Sequence, residues 1–209
     1  MDKINLNWSI LPACIFGHLL SFKGKDSFYG PIFGTGVYLF IFPTKKGYQI
    51  YYIGESTEVG SRLMRHFTEY TSVRSDYYIV TDIALFEEDI YQLYLLASSE
   101  YMQQESEGFP IKERQVIGQT LMHNTYFAFA LVESADKAKL RNVEALLQIG
   151  LLEKNGLPKH GWLGEKTSIV PSYKMEVHNL YPTEIVQKMI KPTLPSIIQC
   201  EEGGITYFN

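Results

Sequence analysis

The sequence predicts an α+β domain: a small antiparallel three-stranded sheet flanked by helices, with a helical insertion and an irregular C-terminal tail. Three observations carry this expectation. An apolar, aromatic hairpin pattern spans residues 36–54, an alternating aromatic segment follows at 124–132, and helix-periodic segments flank both.

Residues 1–30 mix Trp8, Pro12 and glycines at 17, 24 and 30, and read as an N-terminal extension packed on the core. Gly34 and Gly36 lead into Val37-Tyr38-Leu39-Phe40-Ile41-Phe42, an apolar run rich in β-branched and aromatic residues that suits a buried strand. Pro43 to Gly47 has turn chemistry, with Lys45-Lys46-Gly47 at the tip, and Tyr48 to Ile53 returns as the second strand. Glu55-Ser56-Thr57 offers N-cap candidates for a helix from Glu58 to Tyr70. Val59, Leu63 and Phe67 form its core stripe, while Arg62 and His66, four apart, share another face.

Residues 77–123 read as a helical insertion. Ile79, Ile83, Phe86, Ile90, Leu93 and Tyr94 have near-helical spacing, and the pattern favours a helix from Glu87 to Glu105. Gly108-Phe109-Pro110 breaks it, and Ile111 to Met122 reads as another helix. Asn124 to Val132 alternates and is aromatic-rich, as a third strand would be. Ser134 or Asp136 then caps a helix carrying Leu140, Val143, Leu146, Leu147 and Leu151, which runs to Lys154 and stops at Asn155-Gly156 and Pro158. The core is thus expected at 31–156 and a loop-like C-terminal extension at 157–209. In that extension Thr183 caps a short helix over Pro182 to Ile190, and an edge strand lies near the end.

Composition limits the function classes. The chain has 209 residues, 45% of them hydrophobic and 14% aromatic, which is enough for one sizeable core and argues against disorder. The net charge of -4 excludes a broadly basic surface, so a nucleic-acid reader here would need a local basic stripe. Cys14 and Cys200 lie at opposite ends without metal-ligand spacing and read as free thiols in a reducing compartment. No stretch approaches the roughly 18 apolar residues of a membrane span. Lys3 precedes the apolar run Ile10 to Phe16, but Asp2, two asparagines and Pro12 do not suit a signal peptide. The expectation is a soluble, cytoplasmic protein with no membrane partner and no small organic cofactor.

Some residue types at these spacings suit phosphodiester hydrolysis. That reaction needs a group to deprotonate water, positive charge on the phosphate, and help for the leaving oxygen. Tyr38 and Tyr52 would sit on neighbouring hairpin strands with their phenols on one face. Arg62 can clamp phosphate with two donors. One helical turn on, His66 can bond a phosphate or a phenol, or shuttle a proton. Glu144 is a lone carboxylate on an apolar stripe, and one carboxylate with waters and phosphate oxygens is an acceptable magnesium site.

The order Gly36-Val37-Tyr38, Tyr52-Ile53-Gly54, Arg62, His66, Glu144 and Asn155 resembles the GIY-YIG nuclease superfamily. Val37 stands for the usual Ile of the first motif, and Tyr52-Ile53-Gly54 matches the second outright. Arg62 falls ten residues after Tyr52, as in the family, and Asn142 to Leu147 is similar to its metal-binding stretch. The resemblance covers 36–70 and 124–156.

It implies a metal-dependent endonuclease with Tyr38, Tyr52, Arg62, His66, Glu144 and Asn155 as catalytic residues. By the same analogy Tyr52 is the leading base, Tyr38 is bonded beside it, and Glu144 holds one Mg2+ or Mn2+. The layout is most similar to the GIY-YIG type II restriction endonucleases, which implies double-stranded DNA as partner and a homodimer on a palindromic site. Lys45, Lys46, Arg74, Lys154, Lys159, His160 and Lys166 are candidate DNA contacts. Glu55, three after Tyr52, departs from the pattern by placing an acid where phosphate is expected. It motivates the alternative of a catalytically degenerate domain that binds nucleic acid or another partner.

Overall fold

In the computed structural model, residues 1–16, 34–44, 47–71, 119, 122–133, 136–154, 174–201 and 204–209 are described. In chain order the strands are β1 (Asp2–Asn7), β2 (Ser9–Pro12), β3 (Gly36–Thr44), β4 (Gly47–Ser56), β5 (Tyr126–Leu131), β6 (Met175–Leu180), β7 (Ile197–Glu201) and β8 (Gly204–Phe208). The helices are α1 (Val59–Thr71), α2 (Lys137–Lys154) and α3 (Glu184–Ile190).

The expected hairpin forms. β3 and β4 are antiparallel, with Gly36 opposite Ser56 and Thr44 opposite Gly47. A register shift after Phe40 places Tyr52 opposite Phe40 and Ile50 opposite Ile41, so Tyr51 is the extra residue of a bulge. The expected third strand, β5, pairs antiparallel with β3 on its other side.

The expectation of a single three-stranded sheet is overturned. The first sheet has four strands in the order β2-β5-β3-β4, and a second four-stranded sheet runs β1-β6-β7-β8. The N-terminal segment supplies a strand to each sheet, pairing β1 parallel with β6 and β2 antiparallel with β5. The tail from Met175 is likewise not irregular: β6, β7 and β8 form an antiparallel run, interrupted by α3. These strands are only four to six residues long. Several bury a single face, as Ile4 and Leu6 do in β1 and Met175 and Val177 in β6. Such brief alternation beside polar residues and prolines carries little periodic signal.

Strand alternation splits the first sheet into two faces. Val37, Leu39, Ile41, Ile50 and Ile53 pack with Leu140, Val143, Leu146, Leu147 and Leu151 of α2, and with Ile4, Leu6, Val177 and Ile198 of the second sheet. Tyr38, Phe40, Phe42, Phe127 and Phe129 pack on the other side with Val59, Leu63, Phe67 and Tyr70 of α1. Residues 142–152 of α2 are all buried, because this helix contacts strands of both sheets.

Trp8 links β1 to β2 and is fully buried. Its Nε1 donates to Asn179 Oδ1 at 2.9 Å, and Asn179 Nδ2 donates to the Pro195 carbonyl at 2.7 Å. α3 starts where its cap predicts, with Thr183 Oγ1 accepting from the Val186 amide at 3.3 Å. Cys14 and Cys200 are free thiols. Among the described residues, no helix is long and apolar enough to cross a membrane.

The helices expected at 87–105 and 111–122 lie almost wholly outside the described residues. So do Lys45, Lys46, Arg74, Asn155, Lys159, His160 and Lys166.

Candidate functional site

Two glycines let the hairpin strands bring their tyrosines together. Tyr38 lies opposite Gly54, and its ring covers that glycine. A Cβ at Gly54 would sit 2.5 Å from the Tyr38 hydroxyl oxygen, so no larger residue fits under the ring. At Gly36 a Cβ would press on the backbone of β5, 3.0 Å from the Leu131 Cα. The glycines of both motifs therefore have packing reasons in this fold, whatever chemistry the tyrosines perform.

The bulge at Tyr51 keeps two consecutive tyrosines with the aromatic cluster on the α1 side. Tyr51 is spent on structure: its hydroxyl bonds Thr125 Oγ1 at 2.8 Å, and burial pushes its phenol pKa well up. Tyr52 is half-buried and stacks on Tyr38 with ring centroids 5.8 Å apart.

Helix α1 delivers Arg62 and His66 to the same place. Ser56 Oγ accepts from the Glu58 amide at 3.0 Å, and the Val59 amide donates to the Gly34 carbonyl at 3.0 Å. These bonds fix the start of α1 at the end of the hairpin. Arg62 Nε donates to the Tyr38 hydroxyl at 3.3 Å, and that hydroxyl lies 3.0 Å from His66 Nε2. Tyr52 interacts electrostatically with both Tyr38 and Arg62. The His66 ring meets Phe40 edge-on at 5.2 Å and Tyr52 edge-on at 5.3 Å.

The electrostatics follow from burial. Tyr38 is 1% exposed, and that burial is the main cause of its strongly raised pKa. The charge and hydrogen bond of Tyr52 raise it further, while Arg62 pulls the other way. Tyr38 is thus a phenol that keeps its proton at neutral pH. His66 is 5% exposed, and burial first, then the Arg62 charge, pushes its pKa down to about 3. The ring is therefore neutral at pH 7, and its Nε2 shares one hydrogen bond with the Tyr38 hydroxyl. Burial disfavours the Arg62 charge, but the two phenols more than offset this, so its pKa is raised.

Sequence reasoning missed one partner here. Glu69 Oε2 lies 3.7 Å from His66 Nδ1, and its other oxygen holds Arg65 Nε at 3.0 Å. The spacing of three residues on a helix was the available signal.

Four of the expected catalytic residues are therefore in mutual contact: Tyr38, Tyr52, Arg62 and His66. Glu144 is placed differently. It sits on α2, whose apolar residues cover the opposite sheet face, and it is 3% exposed. Gln148 Nε2 lies 3.5 Å from its Oε1. Among the described residues, no three His, Cys, Asp or Glu side chains gather in a metal-binding group. A cation here would rest on the single Glu144 carboxylate with water and phosphate oxygens, because Gln148 turns its amide nitrogen, not its oxygen, to that carboxylate.

Glu55 lies two residues beyond Ile53, on the face that meets α2 rather than the Tyr38 face. Its Oε1 is 3.8 Å from Arg141 Nε. The acid that departs from the family pattern is turned away from Arg62. Lys154, a candidate DNA contact, donates to the carbonyls of Lys191 at 3.0 Å and Leu194 at 3.2 Å. It ties α2 to the turn after α3. Against this geometry, no family model, no curated protein and no solved structure matches the chain.

Proposed function

We propose that this chain is a metal-dependent endonuclease that hydrolyses phosphodiester bonds of double-stranded DNA, in the manner of GIY-YIG restriction enzymes. One observation carries the reading: the Tyr38 hydroxyl meets both Arg62 Nε and His66 Nε2, with Tyr52 stacked against it at the half-exposed side. A structural core has little reason to gather a part-buried arginine, a buried histidine and a buried tyrosine hydroxyl at one point. A site that must move protons beside a phosphate has one.

In this reading Tyr52 faces the attacking water. Tyr38 holds its own proton too tightly to serve as the free base. Instead it passes the proton along: Tyr52 takes the water's proton and gives its own to Tyr38, which gives its own to His66 Nε2. Arg62 offers its remaining N–H groups to the phosphate. A phosphate seated there offsets the Arg62 charge, the smaller of the two causes that hold the His66 pKa low. Bound at Glu144, a divalent cation would supply Lewis-acid charge to the phosphate and the leaving oxygen. A homodimer would present two such sites to a palindromic sequence.

The burial of Glu144 on the α2 side favours a second reading, a domain that keeps the tyrosine cluster but has lost hydrolysis. Glu144→Ala separates the two. Purified protein is incubated with unmethylated phage and plasmid DNA, with magnesium or with EDTA. Magnesium-dependent fragments lost in Glu144→Ala support the nuclease. An inert wild-type protein that still binds DNA supports the second reading.

A further inference from the structure

The second sheet has two edges, and they differ in character. At one edge, β1 carries Asp2 and Lys3, and Asp2 is paired with Lys139 at 3.1 Å. Charges of this kind keep a strand edge from pairing with other chains. At the other edge, β8 reads Gly204-Ile205-Thr206-Tyr207-Phe208 and has no charged side chain. Among the described residues, no strand pairs with its outer side. Its β-branched and aromatic residues suit a strand, and an edge strand points every second amide and carbonyl outward.

The apolar side chains of β8 are left in water. Tyr207 lies opposite the buried Ile198, on the sheet face that covers the core, yet it is 38% exposed. Ile205 lies opposite the buried Cys200 and is only partly buried at the rim of that core. On the other face Phe208 is 48% exposed. Beside Gly204 the space is open, with nothing within 4 Å of where a side chain would begin.

The same strand running the other way fits this edge. About a two-fold axis through Thr206, that residue meets its own copy, Ile205 meets the partner's Tyr207, and Gly204 meets the partner's Phe208. Each is a favourable cross-strand pair: threonine with threonine, a β-branched residue with an aromatic, and an aromatic ring over a glycine. Directly opposite residues share a face, so the core faces of the two sheets become continuous and the partner's Tyr207 covers Ile205. The two copies of Glu201 fall at opposite ends of the paired strands, so these like charges do not meet.

We propose that the chain forms a two-fold dimer by antiparallel β8–β8 pairing, which joins the second sheets of two copies into one. The partner is a second copy because the segment is its own complement, and a two-fold interface uses one patch on both subunits. This contact supplies the two copies that the nuclease reading calls for, but it stands or falls without any cleavage.

Sedimentation and directed cross-linking of the full chain test it, with circular dichroism to monitor folding. Thr206 is exposed, so its substitution leaves the core untouched. Wild type should sediment as a dimer in the micromolar range. Thr206→Lys sets two like charges directly opposite and should sediment as a monomer at the same concentrations. Thr206→Cys should form a covalent dimer on mild oxidation, because directly opposite residues have Cα atoms about 4.5–5.5 Å apart, within disulfide reach. Lys3→Cys, on the charged edge, should not, and neither should wild type with its free Cys14 and Cys200.

A wild type that stays monomeric overturns the proposal and leaves the edge to an extended segment of another protein. A dimer that persists in folded Thr206→Lys places the contact elsewhere and overturns it as well. So does a Thr206→Cys chain that cross-links no faster than Lys3→Cys.

Discussion

At the scale of single residues, the Tyr38 hydroxyl is the point on which the site depends. It meets Arg62, His66 and Tyr52, while its ring fills the space over Gly54. His66 gives this cluster a pH signature. Its pKa falls from an ordinary 6.5 to about 3 in the folded chain. Between those values the unfolded chain binds the proton and the folded chain does not. Stability from this group is therefore complete above pH 6.5 and is lost as pH falls toward 3. The slope from one such proton is at most about 1.4 kcal/mol per pH unit. Urea unfolding of wild type and His66→Gln at pH 7 and pH 5 should show a smaller acid loss in the variant. Equal losses would mean that His66 is not held neutral.

The residue scale also shows what could be read in advance. Tyr38, Tyr52, Arg62 and His66 stand together because a strand period of two and a helix period of 3.6 place them, and both periods are visible in the letters. Glu69 was not singled out, although it lies within one turn of His66. Its contact depends on which side of the helix is buried, and that is decided by strands far away in sequence.

At the scale of elements, the hairpin and the two long helices were legible and the short strands were not. β3 and β4 are long and apolar on both faces, so they read as strands without knowledge of the rest. α2 carries leucines over its whole length. β1 and β6 bury alternate residues only because they pair with each other across 173 positions of register, Asp2 with Met175. Nothing local to either segment announces that pairing. The short α3 is the exception, because its cap is a local signal. Thr183→Ala should cost about 1 kcal/mol, the usual value for a lost N-cap, when measured by thermal or urea unfolding. No change would mean that α3 is held by packing alone.

At the scale of the whole molecule, the two sheets share one core through α2. Ile4, Leu6, Val177 and Ile198 of the second sheet belong to the same buried cluster as Val37, Leu39 and Ile53 of the first. The chain passes between the sheets at Trp8, whose indole is bonded to Asn179. Trp8→Ala should destabilise the protein by about 3–5 kcal/mol, the range for a large aromatic removed from a core. Unfolding should remain one transition by circular dichroism and by tyrosine fluorescence. Separate transitions would show the sheets to be independent units.

The nuclease reading is a claim about the molecule as a whole: the hairpin and α1 build a hydrolytic centre and the rest supports it. Its most direct test is the rate of magnesium-dependent cleavage of unmethylated DNA by wild type, Tyr52→Phe and Arg62→Ala. Wild type should cut, and each variant should fall by about 10²-fold or more while keeping wild-type circular dichroism, as removal of a proton-transfer or phosphate-stabilising group does. Folded variants that cut at the wild-type rate, or a wild type that cuts no DNA, would contradict the account.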